Sequence, residues 1–185
     1  MYIVFLYETI EPGEVIWEKS AFLEDAMGKT LICYFSASEW RVTEIVARKM
    51  AEATGADLFE IVPEVPYTKG DIRWTNPLAR CTKERFGNLP VPYKGKIENI
   101  SDYDLILLGF PIWYGGAPNI VLTFISEQDT SGKKIGAFAT SGGTGVGRVF
   151  KKIEPCLSSS AKIVGAKLFK GNSAPEELAA WVESL

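Results

Sequence analysis

Short apolar runs alternate with amphipathic stretches along most of this chain. The run Leu31-Ile32-Cys33-Tyr34-Phe35 reads as a buried parallel strand over residues 30–35. It breaks into Ser36-Ala37-Ser38. From Val42 a helical pattern begins, with Val42, Ile45, Val46, Met50 and Ala53 on one face. That helix is expected over about residues 40–54, closed by Gly55. Further strands are predicted at 57–62, 104–110, 134–140 and 162–168. Helices are predicted from about Pro118 to Glu127, from beyond Gly145 to about Ile153, and after Ser173-Ala174-Pro175-Glu176-Glu177. There Ser173 is read as the cap, with proline and acids in the first turn. Strands alternating with helices imply an α/β doubly wound three-layer sandwich: a parallel sheet with helices on both faces.

Two stretches fit this rhythm less well. Residues 1–27 contain the apolar run Tyr2–Tyr7 and the turn signal Glu11-Pro12-Gly13-Glu14, which read as an N-terminal hairpin or edge strand ahead of a domain at 28–185. Residues 63–102 are rich in proline, glycine, charge and aromatics. They are long for a connection in a compact domain, and such loops are often functional. A short helix is expected within them, from Asn76 to Arg85.

The 185 residues suffice for one domain with a real core. The net charge of −3 argues against nucleic acid as the main partner, because affinity there comes from cation–phosphate contacts. No apolar run is long enough to cross a membrane. Residues 1–14 carry neither a basic leader nor a small-residue cleavage site, and the three cysteines are far apart without a CxxC pair. These features lead us to expect a cytoplasmic protein. The chain has no histidine. That removes Ser-His-Asp and Cys-His catalysis and most zinc sites, so chemistry here calls for a cofactor.

Three turns follow the carboxyl ends of predicted strands, which share one edge of a doubly wound sheet. The first, residues 36–43, joins a strand to a helix start and carries Ser36, Ser38, Arg41 and Thr43. Free N–H groups and the helix dipole favour an anion there; alternatively, Ser36 and Glu39 simply form a capping box. The second, residues 111–118, places Trp113 and Tyr114 beside Gly115 and Gly116, flat faces next to a backbone that a ligand can approach closely. The third, residues 140–145, is glycine-rich, with Thr140, Ser141 and Thr144 as donors. A phosphate cradle, an aromatic platform and a flexible clamp together suit a flat ring on a phosphorylated tail, as in flavin mononucleotide (FMN).

Nearly all of residues 29–170 resembles the flavodoxin-like FMN-binding family. The resemblance is carried by LICYFSAS, ATGADLFEIVPEVPYT, YDLILLGFPIWYGGAP and SGKKIGAFATSGGTG. It implies a five-stranded parallel sheet of order 2-1-3-4-5 that holds FMN non-covalently and moves electrons through it. Carried over by position, Ser36, Ser38 and Thr43 would hold the phosphate, with Arg41 beside them. Pro111, Ile112, Trp113, Tyr114 and Gly115 would flank the isoalloxazine, and Thr140, Ser141, Gly142, Gly143 and Gly145 would line its other side. The family's phosphate turn reads S-x-[ST]-G-x-T. Here Glu39-Trp40-Arg41-Val42 follow Ser38 without a glycine, so the turn is about two residues longer and Glu39 brings a carboxylate near a dianion. The 67–93 segment resembles relatives with a Y-T-x-x-D-[LI]-x-W run. It is read either as a substrate pocket folded over the flavin edge, with Trp74 in it and Arg80 as an anion contact, or as a structural cap on the sheet.

Other motifs are weaker. Gly28-Lys29-Thr30 precedes its strand, so it is no Walker A turn. Ser141 lies near a G-x-S-x-G pattern but lacks a histidine base. Gly143, Gly145 and Gly147 do not have dinucleotide spacing. No metal site is expected. The reading is an FMN-binding protein acting in electron transfer or as a flavin-dependent oxidoreductase, with a small-molecule substrate or a redox partner protein, as monomer or homodimer. The alternative is a flavodoxin-fold interaction module that has lost flavin.

Overall fold

The computed structural model describes residues 29–185. The expected N-terminal hairpin or edge strand lies outside the described residues. The elements in order are β1 (Thr30–Tyr34), α1 (Val42–Thr54), β2 (Asp57–Glu60), β3 (Val62–Pro63), α2 (Arg80–Gly87), β4 (Tyr93–Lys94), β5 (Leu105–Pro111), α3 (Asn119–Ser126), β6 (Lys134–Thr140), α4 (Phe150–Ile153), β7 (Lys162–Leu168) and α5 (Pro175–Glu183). Five strands form one parallel sheet of order β2-β1-β5-β6-β7. Counting only its strands along the chain, that is 2-1-3-4-5, the order expected. β3 and β4 pair antiparallel in a separate two-stranded ribbon.

The period-two alternation of the strands divides the core into two layers. Leu31, Cys33, Phe35, Ile106, Leu108, Phe110, Ile135, Ala137 and Ala139 face α3 and Ile153 of α4. Ile32, Tyr34, Leu105, Leu107 and Phe138 face Val46, Ala47 and Met50 of α1 and Leu178 and Val182 of α5. β1, β5 and β6 are buried on both sides, which is why they read as continuous apolar runs. Gly109 of β5 lies opposite Phe138 of β6. A Cβ at Gly109 would stand 2.1 Å from the Phe138 ring, so glycine here makes room for a buried aromatic across the ladder.

Several boundaries differ from expectation, each for a local reason. The second strand ends at Glu60 rather than residue 62, because Val62 and Pro63 leave to pair with Lys94 and Tyr93. The short helix expected from Asn76 starts only at Arg80. Asn76 instead accepts the Leu78 N–H on its own side chain at 3.0 Å, a local bond that competes with the helix. Ser173 does not cap α5: its hydroxyl accepts the Lys170 N–H at 3.1 Å, and Ala174 takes the capping position. The capping box at Ser36 and Glu39 is absent because α1 begins at Val42, with Arg41 as its N-cap.

Candidate functional site

All five strands of the sheet run in one direction, so the turns after β1, β5 and β6 share an edge. Two bonds tie them together. The Thr43 and Thr140 hydroxyls meet at 2.8 Å, buried, joining the first turn to the third across the top of β5. The Ile112 N–H donates to the Thr140 carbonyl at 2.9 Å, fixing the second turn against β6.

In the first turn the N–H groups of Ala37, Ser38, Glu39 and Trp40 meet no acceptor among the described residues, nor do those of Val42, Thr43 and Glu44 in the first turn of α1. These donors ring the positive end of a 13-residue helix, the arrangement that holds anions. Ser36 and Thr43 are buried there, while Trp40 points out, 80% exposed. Glu39, the carboxylate expected to trouble an anion, is turned outward to Lys69 at 2.8 Å. Arg41 stands two residues before Thr43, where the family pattern has its glycine. It keeps the backbone conformation that favours glycine, with φ of +46°. Its guanidinium donates to the Ser36 carbonyl at 3.1 Å and binds the carboxylates of Glu44 and Glu60. The bond from Arg41 holds the Glu44 carboxyl below the usual carboxylate range, against the opposing effect of burial. Arg41 is therefore neutralised within the fold rather than free over the turn. The Tyr34 hydroxyl donates to Glu60 at 3.3 Å; burial first, and the Glu60 charge next, push its pKa up to about 12.

The second turn is a tight reversal. The Trp113 N–H donates to the Gly116 carbonyl at 3.0 Å and the Gly116 N–H returns to Trp113 at 3.1 Å. Between them Tyr114 and Gly115 have φ of +50° and +78°, the signature of a type I′ turn. A tyrosine in that conformation needs support, and its hydroxyl supplies it: Thr82 Oγ1 lies at 2.7 Å, and the Trp74 carbonyl accepts from it at 3.2 Å. Tyr114 thus staples the segment around α2 to the turn. Trp113 meets Phe35 and Tyr67 edge-on, with centroids 5.6 and 5.4 Å away. Both faces of its orientation are set by neighbours, so the ring is a rigid surface.

In the third turn Ser141 Oγ accepts the N–H groups of Gly143 at 3.1 Å and Thr144 at 2.7 Å. The loop is shaped by its own serine and lies open. A Cβ at Gly115, Gly142, Gly143 or Gly145 would meet nothing within 4 Å. Packing does not require these glycines; they leave bare backbone facing open space.

The residues expected to form a substrate pocket fall differently. The Trp74 ring is exposed, and only its carbonyl takes part. Arg80 is spent inside the fold: it donates to Glu84 at 2.6 Å and the Val65 carbonyl at 2.7 Å, and lies over the Tyr67 ring at 4.1 Å. Tyr67 in turn donates to Glu84 at 2.7 Å. The expected anion contact at Arg80 is corrected to an internal ion pair at helical i,i+4 spacing. That spacing was visible in the sequence. Arg85 was not singled out by any sequence signal. Its guanidinium lies beneath the second turn, donating to the Tyr114 carbonyl at 3.4 Å, while Nη1 is buried without a partner among the described residues.

The family model for Flavodoxin matches residues 29–185. The chain belongs to the flavodoxin family. No curated protein matches it. Among solved structures, it is 33% identical to a protein from Bacteroides eggerthii, provisionally described as a flavoprotein, over 84% of this chain and 96% of that one, with a TM-score of 0.77. A second, from Bacteroides uniformis and described in the same way, is 31% identical over 84% and 98%, with a TM-score of 0.76. A flavoprotein from Lactobacillus acidophilus, solved in complex with FMN, shares the fold at 21% identity over 76% and 93%, TM-score 0.57. No helix among the described residues of this flavodoxin-family chain is long and apolar enough to cross a membrane.

Proposed function

We propose that this chain binds FMN non-covalently at the carboxyl edge of its sheet and passes electrons through it, as a redox carrier or as an oxidoreductase acting on a small molecule. The observation that carries this reading is the meeting, on one edge, of a ring of N–H groups without acceptors and two turns whose glycines face open space. The family and the FMN complex of the Lactobacillus acidophilus relative support it.

In this reading the N–H groups of residues 37–40 and the start of α1 hold the phosphate, with the hydroxyls of Ser36, Ser38 and Thr43 as neutral donors. Pro111, Ile112, Trp113 and Gly115 flank the ring, and Thr140, Ser141, Gly142, Gly143 and Gly145 border its other side. Tyr114 holds the α2 segment against the turn. Bound flavin supplies one- and two-electron chemistry that the side chains lack. The chain's part is to orient the ring with Trp113, exclude water from one face, and offer backbone groups at Gly115 that a peptide reorientation can bring to the ring edge.

Visible absorbance of the purified protein, followed by titration of FMN into the colourless form, tests the reading. Quenching of FMN fluorescence with saturation is expected. Thr43→Val should weaken binding about tenfold, the loss of one hydrogen bond to a charged group, and Trp113→Ala by more. Failure to bind FMN at high micromolar concentration would leave a flavin-free interaction module as the better account. The lengthened turn Ser38–Val42 would then be its cause.

A further inference from the structure

A cleft of about 380 Å³ lies beside α3. The C-terminal end of α2 (Asn88, Leu89), the helix α3 (Asn119, Thr123) and the basic turn of α4 (Lys151, Lys152) form its walls. Asn119 is buried, and its Nδ2 fastens two of these elements together by donating to the carbonyls of Glu84 at 2.6 Å and Leu89 at 2.9 Å. Its Oδ1 meets no donor among the described residues.

The charges around the cleft do not balance. Lys152 is half-buried in its wall. Arg85, on the last turn of α2, lies under Tyr114 and Gly116, outside the residues that line the cleft and near enough to Lys152 for their charges to repel. Among the described residues neither cation pairs with a carboxylate. The nearest acid in sequence to Arg85, Glu84, is already held by Arg80 and Tyr67. Burial, and then the Arg85 charge, lower the affinity of the Lys152 amine for its proton; burial alone does the same to Arg85. Two desolvated like charges oppose folding unless an anion joins them. Charges perturbed by burial and by each other beside a cleft mark a candidate binding site.

We propose that this cleft is an oxyanion site, taking a carboxylate or phosphate group of a small molecule, with Lys152 as its direct partner and Arg85 as a second positive charge near it. The site is separate from the N–H ring after β1, and it does not depend on flavin. Through Arg85 it abuts the turn that carries Trp113, so an anion seated here changes the charge next to that turn.

The test uses the FMN-free full chain and two probes, sodium malonate and inorganic phosphate, each against sodium chloride at matched ionic strength. Thermal melting should rise saturably with at least one probe in the millimolar range and not with chloride; which probe acts distinguishes a carboxylate ligand from a phosphate. Lys152→Gln should weaken that binding about tenfold, as expected for one charge-assisted hydrogen bond. Arg85→Gln should weaken it by a smaller factor, and Lys94→Gln, on an exposed lysine outside the cleft, should leave it nearly unchanged. With no anion present, Lys152→Gln should melt no lower than the parent, because it removes a repulsion. A structural lysine would give the opposite sign. Equal stabilisation by chloride, or unchanged affinity in Lys152→Gln, overturns the proposal. A protein that binds no FMN but responds to the probes overturns only the flavin reading.

Discussion

Arg41 and Arg85 each lie beside a turn at the same edge of the sheet, and their surroundings are opposite. Arg41 has two carboxylates and a carbonyl around its guanidinium, in a backbone conformation that arginine disfavours. Among the described residues, Arg85 has an ordinary helical backbone, one long bond to a carbonyl and a buried nitrogen with no partner. One residue has satisfied chemistry on a strained backbone; the other has a relaxed backbone and unsatisfied chemistry. The first pattern is that of a side chain recruited to hold a turn in shape. The second is that of a charge kept for something other than the fold.

The contrast can be tested by substitution, and the largest effect is expected at the other saturated arginine network. Glu84→Ala should cost about 3 kcal/mol in denaturant unfolding, because it leaves Arg80 and the Tyr67 hydroxyl without their shared carboxylate in a buried place. Arg41→Ala should cost about 2 kcal/mol, stripping a partly exposed cation from two acids while keeping the positive φ. Arg41→Gly should be about 1 kcal/mol less harmful than Arg41→Ala, since only glycine relieves that backbone. If the two variants are equal, the positive φ at residue 41 carries no strain. The acid limb of stability gives the next test. The Glu44 pKa is lowered in the folded state, so its contribution is present above the ordinary carboxylate pKa and disappears as pH falls through the lower folded value. Glu44→Gln should flatten the acid limb without changing its alkaline counterpart. Arg85→Gln should have the smallest effect, within about 0.5 kcal/mol. A cost matching that of Arg41→Ala would mean that Arg85 is structural after all, and the contrast would be lost.

The sequence was legible where burial is two-sided or where chain geometry is local. β1, β5 and β6 appear as unbroken apolar runs because helices cover both faces of the sheet; the order of the strands was implied only by the family resemblance. Gly55 announces the end of α1 because its φ is +72°. What was hidden depends on partners far along the chain. Nothing near Val62 shows that it turns away to meet Lys94. Arg80 and Arg85 are equally basic in the sequence. Glu84 stands at helical spacing from the first, but only the fold adds Val65 and Tyr67 around it and leaves the second beneath a turn. At the first turn the missing family glycine was legible as a departure. That an arginine at this place takes a backbone conformation that favours glycine, and that Glu39 turns outward, required the structure.

The pairing of Gly109 with Phe138 has a historical consequence. With only 2.1 Å between a would-be Cβ and that ring, a side chain enters at 109 only if the buried Phe138 ring is displaced from its packed place. Shrinking Phe138 first leaves a cavity in a packed layer. A lineage leaving this pair must therefore cross a less stable intermediate in either order. The two positions should be inherited together, and a swap between relatives should succeed only when both travel at once.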